Sequence, residues 1–201
     1  DDQAVVSIST ESETEGTSLS YTVSISNPVD VAVSATSETQ DGTALAASDY
    51  TAISDGTVTF GANSTDGQTV TVATGTDNLV ELDETLSLIL SSLSATGRNV
   101  IFTGSASTIA GGGTITNDDQ AVVSISTESE TEGTSLSYTV SISNPVDVSV
   151  SATSDTQDGT ALAASDYTAI SGGTVTFGAN STGDQTVTVA TGTDNLVELD
   201  E

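Results

Sequence analysis

Carboxylate is the one reactive group that this 201-residue chain holds in large excess. The sequence has 29 Asp and Glu residues against a single basic residue, Arg98, and its formal net charge is −28 at pH 7. The acids gather in the segments between predicted strands, where the loops at one end of a domain converge. Converging carboxylates repel one another unless a cation lies between them. A hard divalent cation such as Ca²⁺, which binds about six to eight oxygen atoms, would suit such a cluster.

The residue types that are missing exclude several kinds of active site. Without His or Cys, the chain cannot form a Ser-His-Asp triad, a thiolate nucleophile, a disulfide or a zinc site with Cys or His ligands. Without Lys and with a single Arg, it cannot form a Schiff base or neutralise a nucleic-acid backbone. Paired carboxylates can hydrolyse glycosides, but the chain has no Trp and only 4 Tyr and 3 Phe to form a sugar-binding platform. We therefore predict that the protein is not an enzyme and that nucleic acid is not a partner.

The chain contains an internal repeat. Residues 1–84 return as residues 118–201, and near-identity at a fixed offset is typical of tandem arrays. Five of the 84 aligned positions differ, namely Ala32/Ser149, Glu38/Asp155, Asp55/Gly172, Asp66/Gly183 and Gly67/Asp184. Residues 85–117 have no counterpart in the second repeat as given. We expect residues 1–119 to form a complete domain and residues 118–201 to form a second domain that is truncated before its last strands.

Apolar and hydroxyl residues alternate along several short segments, a period typical of β-strands with one buried face. Leu19, Tyr21, Val23 and Ile25, for example, alternate with Ser and Thr. Strands are predicted at about residues 4–9, 17–26, 29–36, 57–60, 68–74, 85–92 and 106–116, with Asn-Pro, Asp-Gly and Gly-Ala-Asn turn signals between them. Seven such strands predict an antiparallel β-sandwich, since a β-solenoid would need a repeat of about 20–30 residues.

Five short segments stand in a fixed order along the first repeat. They are Asp41-Gly42-Thr43-Ala44, Ser48-Asp49-Tyr50, Gly56-Thr57-Val58-Thr59-Phe60, Glu81-Leu82-Asp83-Glu84 and Thr114-Ile115-Thr116-Asn117-Asp118-Asp119. This set resembles the Calx-beta domain, which occurs in sodium–calcium exchangers, integrin β4 and many large bacterial surface proteins. The resemblance implies an all-β fold of tandem seven-stranded antiparallel Greek-key (immunoglobulin-like) β-sandwiches, with Ca²⁺ as the cofactor.

The resemblance also implies a set of calcium ligands. In the first repeat these are Glu13, Asp41, Asp77, Glu81, Glu84, Asp118 and Asp119, and in the second they are Glu130, Asp158, Asp194, Glu198 and Glu201. The chain has Thr76, Asn78 and Asn117 where exchanger-type domains have Asp. Fewer carboxylates imply one or two ions per site instead of a larger cluster.

Several neighbouring acids have competing interpretations. Asp49 is typical of a turn residue beside a structural tyrosine, and Asp83 is expected to point away from the ion. Glu11 and Glu15 alternate in phase with Glu13, so the choice of Glu13 depends on the resemblance. The overall charge has a second interpretation, namely that a dispersed acidic surface serves only solubility.

Near-identical sandwiches without a catalytic group suit a spacer. The sequence favours a calcium-binding structural extender of a large adhesin, secreted or at the cell surface and bacterial, with neighbouring repeats as partners. Asp118 and Asp119 end the first repeat and directly precede the second, so calcium there would stiffen the junction and fix the angle between domains. No apolar run approaches the about 18 residues that span a bilayer. The alternatives are a self-assembling extracellular filament or surface layer, in which identical chains complete each other's strands, and a calcium-sensing regulatory module.

Overall fold

The alternation along the strand Leu19–Ile25 decides which of its faces is buried. Leu19, Tyr21 and Val23 are completely buried, whereas the Ser and Thr residues between them are exposed. In this computed structural model, which describes residues 2–193, the same period recurs in the other core strands of the first repeat. Their apolar faces lie against one another between two sheets. The chain is therefore all-β with sandwich domains, which confirms the predicted fold class.

The first repeat forms both sheets of a sandwich. Its strands are β1 Ala4–Ile8, β2 Glu11–Thr14, β3 Leu19–Ile25, β4 Val33–Asp41, β5 Gly56–Phe60, β6 Gln68–Val72, β7 Glu84–Ser94, β8 Val100–Phe102 and β9 Ile109–Thr116. One sheet has the order β6–β3–β1–β8 and the other has the order β2–β9–β7–β4–β5. Neighbouring strands are antiparallel, except that β1 pairs with β8 and β2 pairs with β9 in parallel.

The core between the sheets consists of two apolar clusters. The first contains Ala4, Val6, Val23, Ile25, Val29, Val33, Ala35, Val58, Phe60, Leu90 and Phe102. The second contains Leu19, Tyr21, Ala44, Tyr50, Val72, Leu86, Leu88 and Ile115. Ala44 and Tyr50 come from the loop after β4, so burial of these two side chains fixes that loop at one end of the sandwich.

The second repeat keeps the strand pairings of the first wherever both partners are present. Its strands are β10 Val123–Ile125, β11 Leu136–Ile142, β12 Val150–Ser154, β13 Gly173–Phe177 and β14 Gln185–Val189. They form the sheets β10–β11–β14 and β12–β13. Val123 lies opposite Ile142 as Val6 lies opposite Ile25, so the register is the same in both repeats.

The structure has two strands that are absent from the prediction, and it places both ends of β4 differently. β2 and β8 are not signalled by the alternation, because they are four and three residues long and the side chains of β2 are mostly exposed at a sheet edge. β4 begins at Val33 instead of residue 29, since the carbonyl oxygen of Val29 accepts a hydrogen bond from the Asn63 amide in a loop (2.7 Å). β4 also continues to Asp41, where it pairs with Leu86 of β7.

The contacts between residues divide the chain into two compact units. The first consists of Leu82–Asp118 and the chain before Asn78, and the second consists of Asn78–Glu81 and the chain after Asp118. Within residues 2–193, the helical element is a 3-10 turn at Thr103–Ser105. No helix in that range is long and apolar enough to cross a membrane.

Candidate metal centre

The loop after β4 is organised by two aspartates that accept hydrogen bonds from the loop itself. Oδ1 of Asp41 accepts the hydroxyl proton of Tyr50 (2.5 Å) and the backbone amide of Ala46 (3.0 Å). Oδ2 of Asp49 accepts the backbone amide of Leu45 (2.6 Å). Burial and the hydrogen bond to Asp41 raise the pKa of Tyr50 above its ordinary value, so the phenol stays protonated and keeps donating.

The second repeat builds the same loop with the same partners. Oδ1 of Asp158 accepts hydrogen bonds from Tyr167 (2.6 Å) and from the amide of Ala163 (2.8 Å), and Oδ2 of Asp166 accepts the amide of Leu162 (2.7 Å). The bond from Tyr167 lowers the pKa of Asp158 and raises that of Tyr167. The loop geometry is therefore a local property of this stretch of sequence.

The segment Asp41-Gly42-Thr43-Ala44 attaches the loop to the start of β7. The backbone amide of Thr85 donates to Oγ1 of Thr43 (2.8 Å), and the amide of Ala44 donates to the carbonyl oxygen of Thr85 (2.9 Å). A side chain at Gly42 would collide with that same carbonyl group, which explains the glycine. Glu84 directly precedes Thr85, so this attachment carries its carboxylate toward the loop.

Backbone hydrogen bonds join three further loops at this end of the first repeat. The amide of Gly16 donates to the carbonyl oxygen of Gly75, and the amide of Gly75 donates to that of Asp49 (both 2.7 Å). Gly16 has a φ of +72°, a conformation that favours glycine. The amide of Glu15 donates to the carbonyl oxygen of Thr116 (3.2 Å), so Glu15 lies near the acids that follow β9.

Two groups of three acidic side chains result. Asp49, Glu81 and Glu84, here called the Glu84 group, each place a carboxylate oxygen within 4.8 Å of the other two. Glu15, Asp118 and Asp119, the Asp118 group, do the same. All of these side chains are half-buried except that of Asp118, which is exposed.

The chain has no second basic side chain to neutralise either group. Its one basic residue, Arg98, donates from Nε to Oδ1 and from Nη2 to Oδ2 of Asp30 (2.6 and 2.8 Å). This paired hydrogen bond lowers the pKa of Asp30 and raises that of Arg98. Each three-carboxylate group therefore has the composition of a cation site.

The dimensions of the groups suit calcium. Oxygen ligands lie about 2.3–2.6 Å from Ca²⁺, so two oxygens on opposite sides of one ion are about 5 Å apart. The carboxylate oxygens within each group lie no farther apart than this, so one ion could contact all three side chains. Carboxylate oxygens are the ligands that this hard cation prefers, so Asp49, Glu81 and Glu84 could hold one ion, and the Asp118 group another.

Four of the predicted ligands lie in these groups. Glu81 and Glu84 belong to one group, and Asp118 and Asp119 to the other. Within residues 2–193, neither group includes the remaining predicted ligands, namely Glu13, Asp41, Asp77, Glu130 and Asp158. The predictions for Asp194, Glu198 and Glu201 lie outside the described residues.

Two members of the groups are residues that the sequence interpretation did not select. Asp49 was assigned a turn role, and it does accept the Leu45 amide, but it also contributes to the Glu84 group. Glu15 shares the alternation phase of Glu13, and the signal in its favour is the adjacent Gly16, which marks the turn at the domain end. Asp83 accepts a hydrogen bond from the Asn117 amide (3.1 Å), so it joins the segment before β7 to the end of β9.

The sequence model of the Calx-beta domain matches residues 1–119 and 116–201. The chain belongs to the Calx-beta domain family. Calx-beta domains are a calcium-binding family and not a catalytic one, so family membership confirms Ca²⁺ as the cofactor. No curated protein matches the chain.

Several solved structures resemble this Calx-beta chain. The CBD12 domains of CALX1.2 are 20% identical over 93% of this chain and 76% of that one, with a TM-score of 0.50. The apo form of the Calx CBD1 domain is 23% identical over 59% of this chain and 100% of that one, with a TM-score of 0.49. CBD12 of CALX1.1, described as a calcium-binding domain, is 20% identical over 95% of this chain and 76% of that one, with a TM-score of 0.46. At these identities the likeness to the CALX1.2 domains shows a common fold alone.

Proposed function

We propose that this chain is a non-catalytic structural module that binds Ca²⁺ at the Glu84 group and the Asp118 group. The observation that carries the proposal is the pair of three-carboxylate groups, each within 4.8 Å, in a chain whose single basic side chain is bound to Asp30. A bound divalent ion would offset the mutual repulsion of each group. Membership in a calcium-binding family supports the same assignment.

We further propose that the module is an extender of a large adhesin, secreted or at the cell surface. The support is the near-identity of the two repeats, which differ at five of 84 aligned positions, together with the shared hydrogen-bond pattern of the loops after β4 and β12. Repetition of one rigid module adds length, and solenoid-like arrays use it in this way. Calcium at the domain ends, including the acids Asp118 and Asp119, would stiffen the array at its junctions.

Calorimetric titration of Ca²⁺ into chelator-treated protein tests the binding sites. Glu84→Gln and Asp118→Asn should each remove or weaken binding at one group and leave the other group intact. Glu38→Gln is the matched control, because Glu38 is an exposed acid of β4 that belongs to neither group. Equal binding by the two site variants and the control would contradict the assignment.

Small-angle scattering tests the extender role separately. The maximum dimension of the two-repeat chain should be larger and more uniform in calcium than in chelator, because ions at the domain ends restrict the junction. The Asp118→Asn variant should lose this difference. A dimension that does not respond to calcium would refute the stiffening while leaving calcium binding itself intact.

A filament or surface-layer subunit is the second candidate function. The observation in its favour is that both sheets of the first repeat are open, with β6 and β8 at the edges of one sheet and β2 and β5 at the edges of the other. Exposed strand edges can accept strands from other chains. An assembly of this kind would appear as ordered polymers in electron micrographs, whereas an extender would stay monomeric.

A further inference from the structure

The last strand of the first repeat contains three glycines in a row. Gly111, Gly112 and Gly113 lie in the middle of β9, which spans Ile109–Thr116. Glycine in the interior of a strand weakens it, because glycine loses more backbone entropy than other residues and has no side chain to pack. Each of the three glycines therefore needs a physical reason.

Packing explains the first and the third glycine. A Cβ atom at Gly111 would collide with the carbonyl oxygen of Ser9, and a Cβ atom at Gly113 would collide with the hydroxyl group of Tyr21. Both glycines are buried, so a side chain at either position would disturb the core of the first repeat.

Packing does not explain Gly112. Apart from its chain neighbours, the one heavy atom among residues 2–193 within 4 Å of a Cβ atom there would be Cγ2 of Thr10, at 3.9 Å, which is an ordinary contact. Gly112 is exposed, and its φ lies outside the left-handed region that favours glycine. Thr or Val would be the better residue for such a strand position. A glycine inside a strand often marks a place where a ligand comes close to the backbone.

The missing side chain leaves a groove on the outer face of the five-stranded sheet. Its volume is about 500 Å³, which lies within the range of about 300–1,000 Å³ that is typical of small-molecule sites. Ser87 of β7 lies opposite Gly112. Thr114, which shares the outward face of β9 with Gly112, lies opposite both Ser12 of β2 and Thr85 of β7.

Hydroxyl groups surround the floor of this groove, which is here called the Gly112 groove. The hydroxyl side chains that line it are those of Thr10, Ser12, Thr85, Ser87 and Thr114. Within the part of the chain that the structure describes, Glu11 is the one charged residue of the lining, and it accepts the hydroxyl proton of Ser9. A hydroxyl group both donates and accepts hydrogen bonds, so this lining suits a ligand that does the same.

The charge of the chain limits which ligands fit the Gly112 groove. The formal net charge is −28 at pH 7 and the one basic residue, Arg98, is bound to Asp30, so an anionic ligand would be repelled. A divalent cation finds three carboxylates in the Glu84 group and three in the Asp118 group, whereas the groove offers one. The ligand that fits best is therefore uncharged and rich in hydroxyl groups.

We propose that the Gly112 groove binds a neutral saccharide. The hydroxyl groups of the sugar would exchange hydrogen bonds with the Ser and Thr side chains, and the C–H face of the ring would lie on the bare backbone of Gly112. Among the described lining residues there is no aromatic side chain to add a stacking platform, so we expect binding in the millimolar range. The groove includes no member of either carboxylate group, so this inference is independent of the calcium proposal.

NMR titration of the isotopically labelled chain with oligosaccharides tests the groove. Glucose oligomers represent extracellular polysaccharides, and N-acetyllactosamine oligomers represent cell-surface glycans, so the two neutral probes distinguish the sources of the ligand. An oligomer of galacturonate is the anionic comparison. At least one neutral probe should shift the amide signals of Gly112, Ser87 and Thr114, and galacturonate should bind more weakly.

Three substitutions separate the groove from the rest of the sheet. Gly112→Val should abolish the titration because its side chain fills the groove, and it should keep or raise the midpoint of urea unfolding because Val favours strands. Ser87→Ala, which removes one hydroxyl group, should weaken binding about 3- to 10-fold. Thr59→Val is the matched control, since Thr59 is an exposed residue of β5 in the same sheet but outside the groove. Its affinity should equal that of the original chain.

Several results would overturn the proposal. They are the absence of a shift at Gly112 with both neutral probes, equal binding by Gly112→Val and Thr59→Val, and binding of galacturonate as tight as that of the neutral probes. A clear loss of stability in Gly112→Val would also overturn it, because the glycine would then serve the fold. Glu84→Gln should leave the saccharide titration unchanged, whatever its effect on calcium binding.

Discussion

Replacing Glu84 by Gln should change the stability of the first repeat in opposite directions with and without calcium. Oxygens of the three carboxylates in the Glu84 group lie within 4.8 Å of one another. Each pair therefore repels by at least about 0.9 kcal/mol in a water-like dielectric and by at least about 3.5 kcal/mol at an effective dielectric constant of about 20, the values for a full 4.8 Å separation. The substitution removes two of the three pairs and keeps the shape of the side chain.

The free energy of unfolding in chelator should therefore rise by about 1 to 2 kcal/mol, since half-exposed charges are screened by water and salt. In calcium the free energy of unfolding of the variant should be lower than that of the original chain. A ligand that binds only the folded state stabilises it by about 2.7 kcal/mol at a concentration of 100 times Kd, and the variant has lost a ligand oxygen for that ion.

Urea unfolding in chelator and in millimolar calcium measures both changes in the free energy of unfolding. Glu38→Gln, outside both groups, should show no reversal. Two results would refute the reasoning. The Glu84→Gln variant could be less stable than the original chain in chelator, or calcium could stabilise it as much as it stabilises the original chain.

Three further substitutions test the packing around the site. Burial raises the pKa of Tyr21 to about 12, above the value of 10.0 for an exposed tyrosine, so the folded first repeat loses stability as the pH rises from about 10 to about 12. In Tyr21→Phe, urea unfolding across this range should show a smaller loss, since Tyr50, whose pKa is also raised, remains. Gly42→Ala should destabilise the first repeat by about 1–3 kcal/mol in thermal unfolding, because its methyl group meets the carbonyl group of Thr85. Tyr50→Phe should cost about 0.5–1.5 kcal/mol in urea unfolding through loss of the hydrogen bond to Asp41, and an unchanged midpoint would contradict the role of that bond.

Much of the fold follows from period-two patterning. The alternation around Tyr21 predicts both the strand and its buried face, because one face of β3 must enter an apolar interior. β2 could not be found in this way, since the run Glu-Ser-Glu-Thr has no apolar face and its strand exists through backbone pairing with β9. The predicted start of β4 at residue 29 was wrong because Val29 is a buried valine in a loop, which looks the same in sequence as a valine in a strand.

The site was harder to predict than the fold. Asp41 and Asp49 occupy one loop and look equivalent in sequence, yet Oδ1 of Asp41 accepts two hydrogen bonds within the loop while Asp49 reaches Glu81 and Glu84. Which carboxylate faces the other loops depends on backbone bonds such as that from Gly75 to Asp49. Such tertiary hydrogen bonds leave no period in the sequence.

The two repeats together indicate how the Glu84 group is assembled. The loop of the second repeat has the bond from the Leu162 amide to Asp166 at 2.7 Å. The matching bond to Asp49 is 2.6 Å, so residues of the loop itself hold its aspartate in place. Glu84, in contrast, is the first residue of β7 and reaches the group only when that strand is docked. An ion shared between Asp49 and Glu84 would therefore bind more tightly when β7 is in place, and by linkage it would stabilise the docking of β7 by the same free energy.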